Sequence, residues 1–216
     1  MLNDNGIIKT EKIQYGNELK TKKTYLLKNE NGLTVYTIGD RNIYLAGDIT
    51  TESISEVNTK LIAALTNITH DASILRNYDP SHINLHIQSG GGSIHDMWGL
   101  IDYMLTSPIP IYTYAVGLTA SAALKIFLAG SVRYVFPHTT LMYHDLSAGN
   151  NGKLQDLEEW KSYLQKEQQK IEEYVKQRTN MKTKQLKEIR EKKIDFYMDA
   201  NEAIELRICY TQVRVP

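Results

Sequence analysis

The sequence predicts an α/β domain built on a mainly parallel sheet. Short apolar or alternating runs recur at 41–47, 82–88, 111–116 and 132–136, and stretches with helical periodicity lie between them. That is the order of strands joined by helical crossovers. Glycines also cluster where strands hand over to the next element, at Gly90-Gly91-Gly92 and at Gly117, as turns between strand and helix require.

The bulk numbers exclude several classes. At 216 residues, 42% hydrophobic and 23% charged, the chain is long enough for one ordinary domain with a real core. Its 25 basic and 25 acidic side chains balance to zero, and no basic stripe interleaved with aromatics occurs. Composition therefore favours neither nucleic acid nor an anionic membrane as partner. The single cysteine, Cys209, rules out an intrachain disulfide framework and suits a reducing, cytoplasmic location. Met1 to Asn5 has neither a basic nor an apolar character, so no secretory signal is expected. The most apolar run, 109–130, is interrupted by Pro110 and Lys125 and is read as core, not as a membrane span.

Each element follows in order. Residues 1–24 are expected to be a mobile N-terminal tail, because residues 1–22 are rich in Lys, Asn and Glu without a sustained period; residues 25–216 form a single domain. Apolar runs at 25–27 and 33–38 flank Asn31-Gly32, a hairpin signal. After the strand 41–47, Ile54, Val57, Leu61, Ile62 and Leu65 recur at helical spacing, with Thr50, Thr51 or Ser53 as cap, and the polar stretch from Asn67 to Tyr78 reads as a loop. The strand 82–88 leads through the glycines to a helix with Ile94, Met97, Trp98, Ile101 and Leu105 on one face, ended by Pro108 and Pro110. Next come the strand 111–116, a helix from Ser121 to Ala129, a strand at 132–136, and a β-like segment from Thr140 to His144. Leu154, Leu157, Trp160, Leu164, Ile171, Tyr174 and Val175 then make a narrow apolar stripe on a long charged helix, which must pack on the parent domain or on another subunit. A basic helix at 181–193, the segment 195–199, a short helix at 200–205 and a β-like 208–215 close the chain.

Chemistry concentrates at the turns. The segment Tyr114–Leu124 reads as a strand, a tight glycine turn and a helix beginning at Ser121. The N–H groups of a helix's first turn are unpaired and carry the positive end of the dipole, so a serine oxygen held there can become a nucleophile. Serine is equally a preferred N-cap, and for this segment alone capping is the commoner outcome. A nucleophile needs a base, an orienting acid and two N–H donors for an oxyanion. His144 stands at the end of a strand, where a histidine can serve as base or simply as an ordinary satisfied side chain. Gly90-Gly91-Gly92 lets backbone approach a ligand closely, or makes a tight turn. His70, His82, His86, His95 and His138 have no metal-ligand spacing with acids or Cys209, so no metal or other cofactor is expected. Gly90-Gly91-Gly92-Ser93 lacks the lysine of a phosphate-binding loop.

Taken together, these turns resemble the Clp protease proteolytic subunit. That family carries an Asn-Ser-Pro-Gly-Gly turn, a Gly-x-Ala-Ala-Ser-Met nucleophile turn, a Pro-x-x-x-x-Met-Ile-His segment and an Asp-x-Phe-x-Ser-Ala segment. Here they read Gln88-Ser89-Gly90-Gly91-Gly92-Ser93, Gly117-Leu118-Thr119-Ala120-Ser121-Ala122, Pro137-His138-Thr139-Thr140-Leu141-Met142-Tyr143-His144 and Asp195-Phe196-Tyr197-Met198-Asp199-Ala200. The resemblance covers about residues 40 to 215.

It implies a crotonase-like β/α repeat domain in which Ser121 is nucleophile, His144 base and then acid, Asp195 the orienting carboxylate, and Gly92 and Ala122 the oxyanion donors. It also implies that the helix at about 153–178 is a protruding handle that interleaves two stacked heptameric rings into a tetradecameric chamber. Unfolded polypeptides would be the substrates, fed by a separate AAA+ unfoldase. The residues themselves leave three carboxylates to compare as partners of His144. Asp145 adjoins it, and neighbours on an extended segment point to opposite faces; Asp199 suits an N-cap; Asp195 has no such local role. Gly90 replaces the family's proline, Ala122 its methionine and Arg207 a glycine, and no amphipathic helix precedes Arg41, where the family shapes its axial entrance. Two other readings stand beside the peptidase: a non-catalytic ring subunit, and an acyl-CoA hydratase or thioesterase on the same scaffold.

Overall fold

The computed structural model describes residues 7–15, 18–29, 32–37, 41–74 and 80–213, the first three ranges by backbone alone. Strands β1 (Ile7–Tyr15), β2 (Glu18–Asn29) and β3 (Gly32–Thr37) form an antiparallel sheet of their own. The expected hairpin is there, with Asn29 opposite Gly32 and Leu27 opposite Thr34. The stretch read as a tail differs: it carries β1 and the start of β2, paired from Tyr15↔Glu18 to Lys9↔Thr24. Backbone pairing needs no strict apolar alternation, whose absence makes this stretch look irregular in sequence.

The main sheet has the order β10-β7-β6-β5-β4 and contains β4 (Asn42–Ala46), β5 (Ile83–Ser89), β6 (Ile111–Ala120), β7 (Val132–Val135) and β10 (Thr211–Gln212), all parallel to their neighbours. Strand β8 (Thr140–Tyr143) runs parallel to the far end of β6, and β9 (Phe196–Met198) pairs antiparallel to β8. The α/β class and its mostly parallel sheet are as the sequence predicts. Helices α1 (Thr51–Ile74), α2 (Ile94–Thr106) and α3 (Ala122–Leu128) connect the strands, followed by α4 (Leu154–Arg178), α5 (Thr183–Lys192) and α6 (Ala200–Glu205). Burial on one face explains the alternation in β5, where Ile83, Leu85 and Ile87 are buried in one core with Met97, Leu100 and Ile101 of α2 and the apolar residues of α3, while Asn84, His86 and Gln88 lie on the opposite face.

Two boundaries differ from expectation. Helix α1 continues past Asn67 to Ile74, because Ile68 and Asp71 extend the buried stripe of Ile54, Val57, Leu61 and Ala64; a buried aspartate on that face interrupts the apolar period. Strand β6 does not turn at Gly117 but runs on to Ala120. Ile87 pairs with Ala115 and Ser89 with Thr119, so β6 carries two extra residues opposite β5. This bulge bends β6 away from β7, its partner at Tyr112–Ala115, and onto β8, its partner at Leu118–Ala120.

Candidate active site

Everything of chemical interest lies at the carboxyl ends of β5, β6 and β8. Ser121 links β6 to α3 with φ 54 and ψ −123, a conformation that a side-chain-bearing residue rarely adopts. An N-capping serine would be extended and would accept a bond from the first turn of the helix, but the Ser121 side chain makes no such bond. Its Oγ lies 2.6 Å from His144 Nε2. The capping explanation is therefore excluded by both the backbone and the side chain. The Ser121 N–H donates to Met142 O at 2.9 Å, and β8 pairs with β6 through Ala120↔Met142, so the two residues are held in register by one ladder.

The glycine turn packs against this serine. A Cβ placed on Gly91 would come within 2.6 Å of Ser121 Cβ and 3.1 Å of the Ala122 nitrogen, and one on Gly92 within 2.3 Å of Ile49 O. Both glycines have positive φ, 112 and 147, so close approach and backbone conformation alike demand glycine here. The turn is pinned by Ile49 N–H to Gly91 O at 2.8 Å, Ser93 N–H to Ile49 O at 2.9 Å, and Gly91 N–H to the buried Ser89 Oγ at 3.1 Å. Among the described residues neither the Gly92 nor the Ala122 N–H donates to a protein group. Gly92, Ser121, Ala122 and His144 all line one cavity of about 40 Å³.

Electrostatics keep the imidazole neutral. Burial, and next the positive charge of Lys125, lower the His144 pKa, while Asp195, a backbone hydrogen bond with Asp145 and the Asp145 charge oppose the shift. Asp145 itself is raised, chiefly by burial. The loop after His144 is tethered to α4 and α5: the Leu146 N–H donates to Gln168 Oε1 at 2.9 Å, Gln168 Nε2 donates to Glu172 at 3.0 Å, and Glu172 pairs with Arg190.

The carboxylates sort unevenly. Asp199 caps α6, accepting from Asn201 and Glu202 N–H at 2.8 and 2.9 Å, as its position suggested. Asp145 makes no side-chain bond to His144, yet it lines the same cavity. Asp195 immediately precedes β9, whose Phe196 pairs with Tyr143, so the next step of the ladder brings it opposite His144. Its side chain is exposed and makes no hydrogen bond to the imidazole among the described residues. The site residue that sequence reasoning missed is Lys125. It is 4% exposed, lies one turn along α3 from Ser121 and lines the cavity. The signal was present: one lysine inside Ala122-Ala123-Leu124-Lys125-Ile126-Phe127-Leu128 has no reason to be there as a surface residue. Among the described residues no cluster of three or more His, Cys, Asp or Glu could hold a metal, and no helix is long and apolar enough to cross a membrane.

Comparison with known proteins identifies the family. The chain is 26% identical over 179 residues, 81% of its length and 86% of the relative's, to the ATP-dependent Clp protease proteolytic subunit 1 of Shouchella clausii (strain KSM-K16). It is 27% identical over 186 residues, 84% and 88% of the two lengths, to the subunit of the same name from Prochlorococcus marinus (strain NATL2A). The Clp protease family pattern matches residues 33–209, a span that includes the glycine turn, Ser121, His144 and Asp195, and the chain belongs to the Clp protease family.

Proposed function

We propose that the chain is a serine endopeptidase in which Ser121 is the nucleophile. The observation that carries this reading is the 2.6 Å contact between Ser121 Oγ and His144 Nε2, made by a serine whose strained backbone leaves its oxygen free of any capping role. His144, neutral because burial and Lys125 lower its pKa, takes the hydroxyl proton as Oγ attacks a peptide carbonyl. The Gly92 and Ala122 N–H groups stabilise the oxyanion. The imidazolium then gives its proton to the leaving amine, and water enters by the reverse sequence to release the acyl group. Asp195 is the orienting carboxylate, drawn onto the imidazole when substrate closes the site, since catalytic hydrogen bonds are often open without ligand.

On the same reading the substrates are unfolded polypeptides, cleaved in a chamber of two stacked heptameric rings in the cytoplasm. The relatives' names include "ATP-dependent" and this chain carries no phosphate-binding loop, so a separate AAA+ unfoldase supplies the ATP chemistry. A non-catalytic ring subunit is the second reading, favoured by the exposed Asp195. Labelling with a fluorophosphonate separates the two. A peptidase is modified at Ser121 and hydrolyses short peptides, and Ser121→Ala abolishes both while leaving assembly intact. An unlabelled wild-type protein, or a mutant that retains most of its peptidase activity, overturns the reading.

A further inference from the structure

The mechanism above uses Lys125 only as a distant charge, yet the residue is the most costly one in the site. The residue is 4% exposed, and its ammonium makes no hydrogen bond and no ion pair among the described residues, so it is held at the cavity wall with no partner of its own. It lies over the face of the Tyr143 ring, 4.6 Å from the centroid. Burial draws its pKa down to about 7. Facing the same cavity is a second unsatisfied group, Asp145, whose Oδ1 is buried without a hydrogen-bond partner. A buried acceptor left unpaired is unfavourable, and one beside an unpartnered cation at the wall of the same cavity is completed when a ligand bonds to both.

The cavity opens directly beside the reacting oxygen of Ser121. Once Ser121 Oγ is bonded to a carbonyl carbon, the α-carbon of that residue is one further bond away, about 1.5 Å. A side chain on that carbon is within reach of the space lined by Ser121, Met97, Ile171, Lys125 and Asp145. At about 40 Å³ the space takes roughly three water-sized groups, the size of a terminal carboxamide. A carboxamide offers an oxygen that accepts from the Lys125 ammonium and an NH₂ that donates to Asp145 Oδ1. A carboxylate would meet Lys125 but repel Asp145, and an aliphatic side chain would leave both groups unpaired.

We propose that Lys125 and Asp145 make this cavity a recognition site for a side-chain carboxamide, so that cleavage falls after asparagine or glutamine. This rests on the reading of Ser121 as nucleophile.

The test uses the full-length protein and short fluorogenic peptides that differ only in the residue on the acyl side of the cleaved bond: Asn, Gln, Asp, Glu, Leu or Met. A fluorophosphonate reports the nucleophile independently. The expected result is a kcat/KM at least tenfold higher for Asn or Gln than for Leu or Glu. In Lys125→Met and in Asp145→Leu that ratio falls at least tenfold in favour of Leu and Met. Because the readout is a ratio within each variant, a general loss of activity cancels, and either variant suffices if the other does not fold. If the wild-type protein is labelled and cleaves, but prefers Leu or Glu, or if the ratio is unchanged in the variants, the carboxamide site is overturned while the peptidase reading stands. If the wild-type protein is neither labelled nor active, both fall.

Discussion

At the scale of single residues the site is defined by what its side chains do not do. Ser121 does not cap its helix, and its φ of 54 is a local cost accepted only because β6, β8 and the glycine turn over-determine the position. Asp199 is employed as a cap, and on the proposed mechanism Asp195 is the carboxylate that acts on His144. The negative charge of Asp195 raises the pKa of His144 against the stronger effects of burial and Lys125. Replacing it by asparagine removes that support, so His144 stays neutral to lower pH. The acid limb of kcat/KM therefore moves to lower pH in Asp195→Asn, while kcat drops on the order of 10²- to 10⁴-fold through loss of the correct imidazole orientation. Asp199→Asn, by contrast, leaves the limb in place and changes stability by less than about 1 kcal/mol, because asparagine caps a helix about as well as aspartate. A pH–rate profile of the two variants decides between them. A dead Asp199→Asn with an intact fold, beside an active Asp195→Asn, would shift the role of orienting acid to the cap.

At the scale of elements, one buried guanidinium ties together the ends of three helices. Arg133 on β7 is 1% exposed; it donates to Leu128 O at 3.1 Å and to Arg178 O and Arg207 O at 2.9 Å each, with the Tyr210 ring 4.5 Å from its carbon. These carbonyls lie at the negative ends of α3 and α4 and just beyond α6, where a fixed cation is favourable. The planar fork satisfies what a lysine could not. Arg133→Met should cost about 3–5 kcal/mol, the price of leaving three buried carbonyls unpaired, and Arg133→Lys should recover little of it; chemical denaturation at fixed protein concentration measures both. A loss below 1 kcal/mol would mean that water replaces the guanidinium. None of this is legible in sequence, because an arginine in a short strand looks like a surface residue. What periodicity and turn chemistry do specify is legible: the crossover order, the α4 stripe, and the glycine, serine and histidine turns. Three of the misreadings share one cause. Where a polar group is buried for a tertiary reason, as at Asp71, Lys125 and Arg133, the apolar period is broken or the residue is assigned to solvent.

For the whole molecule the decisive feature is that α4 is only half covered. Its second half packs on the domain through Ile171, Tyr174 and Val175, and Trp98 holds it by donating to Glu167 at 3.0 Å and stacking edge-on with Tyr174. Its first half carries Leu154 at 74% and Leu157 at 36% exposure, and the Trp160 indole N–H is buried without a partner among the described residues. Two leucines on one face of a protruding helix are worth roughly 1.5–3 kcal/mol each on burial, and a chain of zero net charge offers no long-range repulsion against association. The chain should therefore sediment as an oligomer at micromolar concentration. Leu154→Glu with Leu157→Glu should shift it toward monomer without changing its helical circular dichroism, since neither side chain contributes to the core. A wild-type protein that sediments as a monomer under these conditions would leave the exposed half of α4 without a partner of its own kind and would remove the basis for a chamber. Oligomers that survive the double substitution would instead place the contact elsewhere, with the exposed Leu118 at the end of β6 and Tyr197 of β9 as the next surface to test.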